Sequence, residues 1–193
     1  MKSLWVVLGV VGLLILVVIL GGGSYITAKN QMVAKNQNVQ AAFSEIDVNL
    51  QRRYDLIPNL VSTVKGYANV EESILTAIAN ARAGLMTAKT PDEKLAANDR
   101  LNVALLPLMR MQENYPQLKS NDQFMRLQDE LAGTENRIAI ARRRYNETIR
   151  DYNTFIQQFP NSIWAGIAGF QPKTEYYTAD TGARTAPKVD FSK

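Results

Sequence analysis

The hydrophobic pattern of the chain begins with an unbroken apolar stretch. From Leu4 to Leu20 no side chain is polar except the indole of Trp5, and fourteen of the seventeen residues are Leu, Ile or Val. As a helix at about 1.5 Å per residue this stretch spans roughly 26 Å. Continued through Gly21-Gly22-Gly23-Ser24-Tyr25-Ile26, it clears a hydrocarbon core of roughly 30 Å. Its aliphatic content favours insertion by about 4–8 kcal/mol, and Trp5 and Tyr25 stand at its two ends, where interfacial aromatics belong. A cleaved leader is the competing reading, with Lys2 as a short basic start and Gly21 and Gly23 as small residues before a cut. Leader cores of about 7–15 apolar residues are shorter than this one, which favours a transmembrane anchor. No face of the stretch is polar, so a buried core helix fits poorly.

Beyond the anchor the apolar positions recur at helical spacing. Val39, Phe43, Ile46, Leu50, Arg53 and Ile57 step by 4, 3, 4, 3 and 4, a seam with one charged member. Pro58 is expected to end or kink this helix. Leu60, Val64, Tyr67, Glu71, Ile74, Ile78 and Arg82 resume the period as a second stretch ending near Gly84, with Gly66 loosening its middle. Thr90-Pro91-Asp92-Glu93 reads as a capping box with proline at the first helical position, opening a helix toward Tyr115 that Pro107 should kink or split. Ser120-Asn121-Asp122-Gln123 reads as a second capping box. After it, Phe124, Leu127, Leu131, Thr134, Ile138, Ala141, Tyr145, Thr148, Tyr152, Phe155 and Phe159 alternate steps of three and four as far as Pro160. That regularity requires a partner surface, supplied by the other helices or by another subunit. A short apolar patch, Ile163 to Phe170, follows. From Gln171 on there is no period, and Pro172 and Pro187 interrupt the run.

The fold class expected is therefore all-α. A transmembrane anchor (1–26) precedes an elongated antiparallel bundle of three to four helices (27–170) and an extended or disordered tail (171–193). The anchor is expected to run on as the first helix of the bundle.

Composition narrows the chemistry. The chain has no cysteine and no histidine. Disulfides, thiolate nucleophiles and an acylated lipoprotein anchor are excluded, and the commonest general base and zinc ligand are missing. The balance of 22 basic to 18 acidic residues is mild and dispersed, giving no case for nucleic acid. No P-loop or other phosphate-binding glycine motif is present. We find no catalytic, cofactor-binding or metal-binding constellation and no evident small-molecule substrate. Two charged groups are candidate interaction sites. One surrounds Arg52, Arg53, Asp55 and Pro58, together with Glu45 and Asp47. It reads as a solvated face with local ion pairs or, because Arg53 falls on the apolar seam, as a polar belt inside the bundle. The other is Arg142, Arg143 and Arg144, a solvated run balanced by Glu130, Glu135 and Asp151, or a contact for lipid headgroups or an acidic partner. Tyr145, Tyr152, Phe155 and Phe159 at helical spacing read as core.

The run Ala42 to Val61, containing Ile46-Asp47, Leu50, Arg52-Arg53, Asp55-Leu56-Ile57-Pro58-Asn59-Leu60-Val61, resembles the signature of the LemA family of bacterial single-pass membrane proteins. Val64-Lys65-Gly66-Tyr67-Ala68 continues it. So do Arg144-Tyr145-Asn146, Asp151-Tyr152-Asn153, Phe159-Pro160, Gly169-Phe170 and Pro187-Lys188-Val189-Asp190-Phe191. The resemblance implies one N-terminal membrane helix, an all-helical bundle and no established activity. Many relatives have His-Glu where Val70-Glu71 stands here, so a histidine role is not carried over. Some carry a lipoprotein cysteine near Gly21–Ser24, which favours a helical domain outside the cytoplasm; the opposite topology is the alternative within the family, and positive-inside counting is close to a tie. The expected function is a membrane-anchored, non-enzymatic scaffold or interaction protein of the cell envelope, self-assembling or bound to an envelope protein. The alternative is an accessory subunit of an envelope protease or quality-control system.

Overall fold

The computed structural model describes residues 2–177, and every regular element among them is helical. They are α1 (Lys2–Lys65), α2 (Glu72–Thr87), α3 (Pro91–Arg110), a 3-10 turn at Met111–Glu113, α4 (Pro116–Lys119), α5 (Asp122–Gln157) and α6 (Asn161–Ala168). The chain is an all-α helical bundle with its long apolar helix at the N-terminus. Of the expected tail only Gln171 to Tyr177 is described, without regular secondary structure; 178–193 lie outside the described residues.

Two compact units divide these residues: 2–42 with Glu147–Thr174, and Phe43–Asn146 with residues 175–177. In the second unit, α1, α2, α3 and α5 alternate in direction, as helices joined by short connections do. Along α1, Asp47 and then Arg53 meet Lys94 and then Asn98 on α3, so those two helices run parallel. Glu45 and Arg52 meet Arg144 and Glu130, so α5 runs opposite to α1. Ile46, Ile57, Leu101, Leu108 and Ile138 are almost fully buried between them. In the first unit Met32, Val39, Ile149, Tyr152 and Ile156 are buried, with Ala165 of α6.

The anchor does run on as the first bundle helix, and Pro58 does not stop it. Proline has no N–H, so the carbonyl four residues earlier loses its ladder partner. That carbonyl belongs to Tyr54, and the Nε–H of Arg82 on α2 donates to it at 3.4 Å. The same guanidinium lies 3.7 Å above the Tyr54 ring. The helix ends instead at Gly66, whose N–H is shared between the carbonyls of Ser62 and Thr63 as the last turn tightens. Pro107 likewise lies within α3 rather than splitting it, on a face exposed to solvent.

The Thr90 capping box forms as expected. Thr90 Oγ1 accepts from the Glu93 N–H, and the Glu93 carboxylate accepts from the Thr90 N–H at 3.1 Å and the Lys89 N–H at 2.8 Å. These backbone donors hold the Glu93 pKa below its usual value. The second box is displaced by one residue. Asn121, not Ser120, caps α5, accepting from the Phe124 N–H at 2.8 Å, while Ser120 turns back to carbonyls of the preceding turn.

The buried stripe of α5 departs from the expected seam after Tyr145. It continues through Ile149, Tyr152 and Ile156 instead of Thr148, Tyr152 and Phe155, and Phe159 is 81% exposed. Two successive steps of four restore the 3.6-residue period of a straight helix, where strict 3.5 spacing would demand supercoiling. On α1, similarly, Ala42 takes the buried position and Phe43 is half-buried.

Candidate functional site

The polar belt is built on three helices of the second unit. Arg53 is 5% exposed, held there because the α1 stripe that buries Leu50 and Ile57 passes through it. Its Nη1 donates to Asn98 Oδ1 of α3 at 3.0 Å and to the Glu135 carboxylate of α5. Its Nη2 donates to Asn102 Oδ1. A buried guanidinium is tolerable only with such partners, because desolvating it unpaired costs several kcal/mol. Of the two readings of this group, the internal belt therefore holds for Arg53 and the solvated face for its neighbours. Arg52 is exposed and pairs with Glu130. Asp55 is exposed and accepts from Gln51 Nε2 at 3.0 Å. Pro58 is exposed one turn further on.

The three arginines of α5 separate in the same way. Arg142 is half-buried, 3.8 Å from Asp99 of α3 and 5.9 Å from the ring centre of Tyr177. Arg143 is exposed. Arg144 reaches Glu45 of α1 at 3.0 Å. Glu130 and Glu135, expected to balance this run, are instead committed to Arg52 and Arg53. Helix geometry explains the exchange: residues on one helix compensate each other only three or four positions apart, and those glutamates lie farther away along α5. Asn98 and Asp99, consecutive on α3, thus serve Arg53 of one helix and Arg142 of another.

Beside this belt Tyr145, Tyr177 and Phe43 form an aromatic cluster, with ring centres 5.1 and 5.9 Å from Tyr145. Burial, helped by the negative charges of Glu175 and Asp92, pushes the Tyr145 hydroxyl up to about 12. Burial raises Tyr177 as well. The start of the tail is fastened by side chains that mimic a strand partner. Asn146 donates to the Tyr177 carbonyl at 2.7 Å and accepts from the Tyr177 N–H at 2.9 Å. In the first unit, Asn153 does the same for Lys173, at 2.7 and 2.8 Å. There the Tyr152 hydroxyl also donates to the Gln171 carbonyl at 3.0 Å, and burial raises its pKa.

Neither asparagine was singled out as a site residue from sequence. The readable signal was the dipeptide Tyr-Asn repeated seven residues apart, Tyr145-Asn146 and Tyr152-Asn153. Each tyrosine turns into the core, and the next position faces the docked segment. Asn98 and Asn102 were missed because their role depends on an arginine from another helix.

Chemically the belt binds charge to charge. Among the described residues no group of three acidic, histidine or cysteine side chains is placed to hold a metal ion. An open cleft of about 330 Å³ is lined by Asp47, Gln51, Tyr54, Leu85 and Lys94, and there Lys94 is tied to Asp47 at 2.6 Å.

These features define a class: an all-α protein with a charged internal belt and one N-terminal helix long and apolar enough to cross a membrane. The chain belongs to the LemA family, whose model matches residues 42–191. Among its relatives is magnetosome protein MamQ 1 of Paramagnetospirillum magneticum, 28% identical over 77% of this chain and 64% of the relative. Magnetosome protein MamQ of Magnetospirillum gryphiswaldense is 27% identical with the same coverage. Protein LemA of Metamycoplasma hominis is 26% identical over 70% of this chain and 62% of its own. The chain thus spans less than two thirds of the length of these relatives.

Proposed function

We propose that this protein is a membrane-anchored, non-enzymatic scaffold or interaction protein of the cell envelope. In this reading α1 crosses the inner membrane once and the helical part stands outside the cytoplasm. The carrying observation is that α1 is a single helix from Lys2 to Lys65. The apolar stretch that suits a bilayer is therefore the same helix that supplies Arg53 to the bundle. Relatives named as magnetosome and LemA proteins, rather than for a reaction, fit this reading. The exposed Arg143 supplies a cationic position for an acidic partner or a second copy, beside Arg144, which is paired with Glu45.

Native mass spectrometry of the detergent-extracted protein, with and without prior in-cell crosslinking, tests this. A defined homo-oligomer or a stoichiometric envelope partner is expected. A strict monomer with no crosslinked partner would sink the proposal, and recovery of a membrane protease would favour an accessory subunit. Protease protection in spheroplasts tests the topology: digestion of the helical part from outside is expected, and full protection would reverse the orientation.

A further inference from the structure

The segment after α5 has a composition unlike the rest of the helical part. From Tyr152 to Pro172, 21 residues pass without a charged side chain. Within it α6 turns Ala165 inward, while Ile163 and Ile167, one turn apart, are 51% and 66% exposed; Phe159, just before the helix, is 81% exposed. Exposure alone does not set the row apart, since Val103 and Leu106 of α3 are 66% and 51% exposed; the absence of any charge around it does. Gly169, at φ 77°, ends the helix in a left-handed cap, and the Phe170 N–H closes on the Ala165 carbonyl at 3.0 Å. The exposed row therefore sits on a terminated, fixed element.

Its position in the first unit says what covers it. Trp164 of α6 packs edge-on against Tyr25 of α1, with ring centres 5.7 Å apart. Tyr25 lies at the end of the apolar stretch, and from Trp5 to Tyr25 the helix rises about 30 Å, the thickness of a hydrocarbon core. α1 itself carries no charge between Lys2 and Lys29, and Ile26 beside Tyr25 is 59% exposed. Two stretches free of charge, on two separate helices, thus meet at the level where the bilayer boundary would fall. Tyr25 is an amphipathic aromatic of the kind such a boundary favours, and Trp164 packs on it with its indole N–H buried.

We propose that α6 is an interfacial helix that lies in the same bilayer α1 crosses, inserting Phe159, Ile163 and Ile167 at the boundary between headgroups and acyl chains. The occupant of the exposed row is lipid, because the row continues the surface of the membrane-spanning segment. The first unit would then touch its membrane at two places, α1 and α6. This inference rests on the membrane anchoring proposed above.

The chain has no native cysteine, so single spin labels can be placed on the full-length protein at Ile163→Cys, Ile167→Cys, Val17→Cys within the anchor and Val103→Cys on exposed α3. In phosphatidylcholine–phosphatidylglycerol vesicles, collision rates with oxygen and with a water-soluble nickel chelate report depth. The oxygen-to-nickel ratio at 163 and 167 should exceed that at 103 several-fold and fall below that at 17. A lipid-like ratio at 17 with water-like ratios at 163 and 167 overturns the inference and leaves the anchor standing. A water-like ratio at 17 removes the anchor and the inference together. Shielding of 163 and 167 from both relaxants shows protein covering the row and overturns the inference in favour of a second copy.

Discussion

Replacing Arg82 should weaken the bundle in proportion to how far Pro58 depends on it. The Arg82 Nε–H supplies the hydrogen bond that proline withholds from the Tyr54 carbonyl, at 3.4 Å. Hydrogen bonds from charged donors contribute about 1.5–3 kcal/mol, and this long one falls near or below the low end, about 1 kcal/mol. The guanidinium over the Tyr54 ring at 3.7 Å adds about 0.5–1 kcal/mol. Arg82→Met keeps the apolar stem and should cost about 1.5–2 kcal/mol. In a Pro58→Ala background the alanine N–H takes over the Tyr54 carbonyl. Arg82→Met should then cost only the ring contact, about 0.5–1 kcal/mol. The two substitutions should therefore couple by about 1 kcal/mol, above the roughly 0.3–0.5 kcal/mol scatter of independent sites. Urea unfolding of the four proteins in detergent micelles, followed by far-UV circular dichroism, measures the cycle. Equal costs of Arg82→Met in both backgrounds would refute the reasoning, leaving the arginine as ring packing alone.

Three further outcomes follow from the belt and the tail. Glu135→Ala should destabilise by about 3 kcal/mol, because it strands the buried charge of Arg53; urea midpoints check this, and a loss below about 1 kcal/mol would mean the asparagines satisfy Arg53 unaided. Stability should fall between pH 10 and 12: the Tyr145 hydroxyl ionises near 10 when unfolded and at about 12 when folded, so the native state holds the extra proton there and loses about 2–3 kcal/mol across the window. Tyr145→Phe should reduce that slope in a pH-resolved unfolding series, with Tyr152 and Tyr177, also raised by burial, keeping a share of it. Asn146→Leu should free the Tyr177 backbone and raise its amide hydrogen exchange about tenfold or more, as the loss of two bonds of about 1 kcal/mol each implies, with exchange in α3 unchanged.

The α-class, the apolar helix and its continuation into α1 were legible because each follows from a local run of side chains. The errors share one cause: local rules applied where a distant residue intervenes. Pro58 is a helix breaker by its own chemistry, and only Arg82, 24 residues on in the sequence, removes the reason. Ser120 is as good a cap as Asn121. What selects Asn121 is its second bond, from Nδ2 to the Tyr67 hydroxyl at 2.8 Å, which ties the start of α5 to the end of α1. The 3.5-residue seam on α5 fitted the residue types as well as the 3.6-residue stripe that forms. Past Tyr145 the two differ by one position, and Ile149 buries more apolar surface there than Thr148 could.

Arg53 marks the limit of such reading most clearly. Its place on an apolar seam already implied burial, and burial implied partners, since an unpaired guanidinium would not be tolerated there. Nothing in the pattern could say whether those partners came from α1 itself, another helix or another subunit. Asn98 supplies the answer from α3 at full burial, and Glu135 supplies the counter-charge from α5 while its own side chain keeps 42% exposure. A carboxylate that remains partly in water costs little to desolvate. The belt is therefore asymmetric: α1 commits its charge to the interior and α5 holds it from the surface. A partner or second copy that covers Glu135 would desolvate that carboxylate and so act directly on the strength of the pair. The same residues that knit α1 to α3 and α5 are thus the ones through which a contact on the α5 surface would be felt in the core.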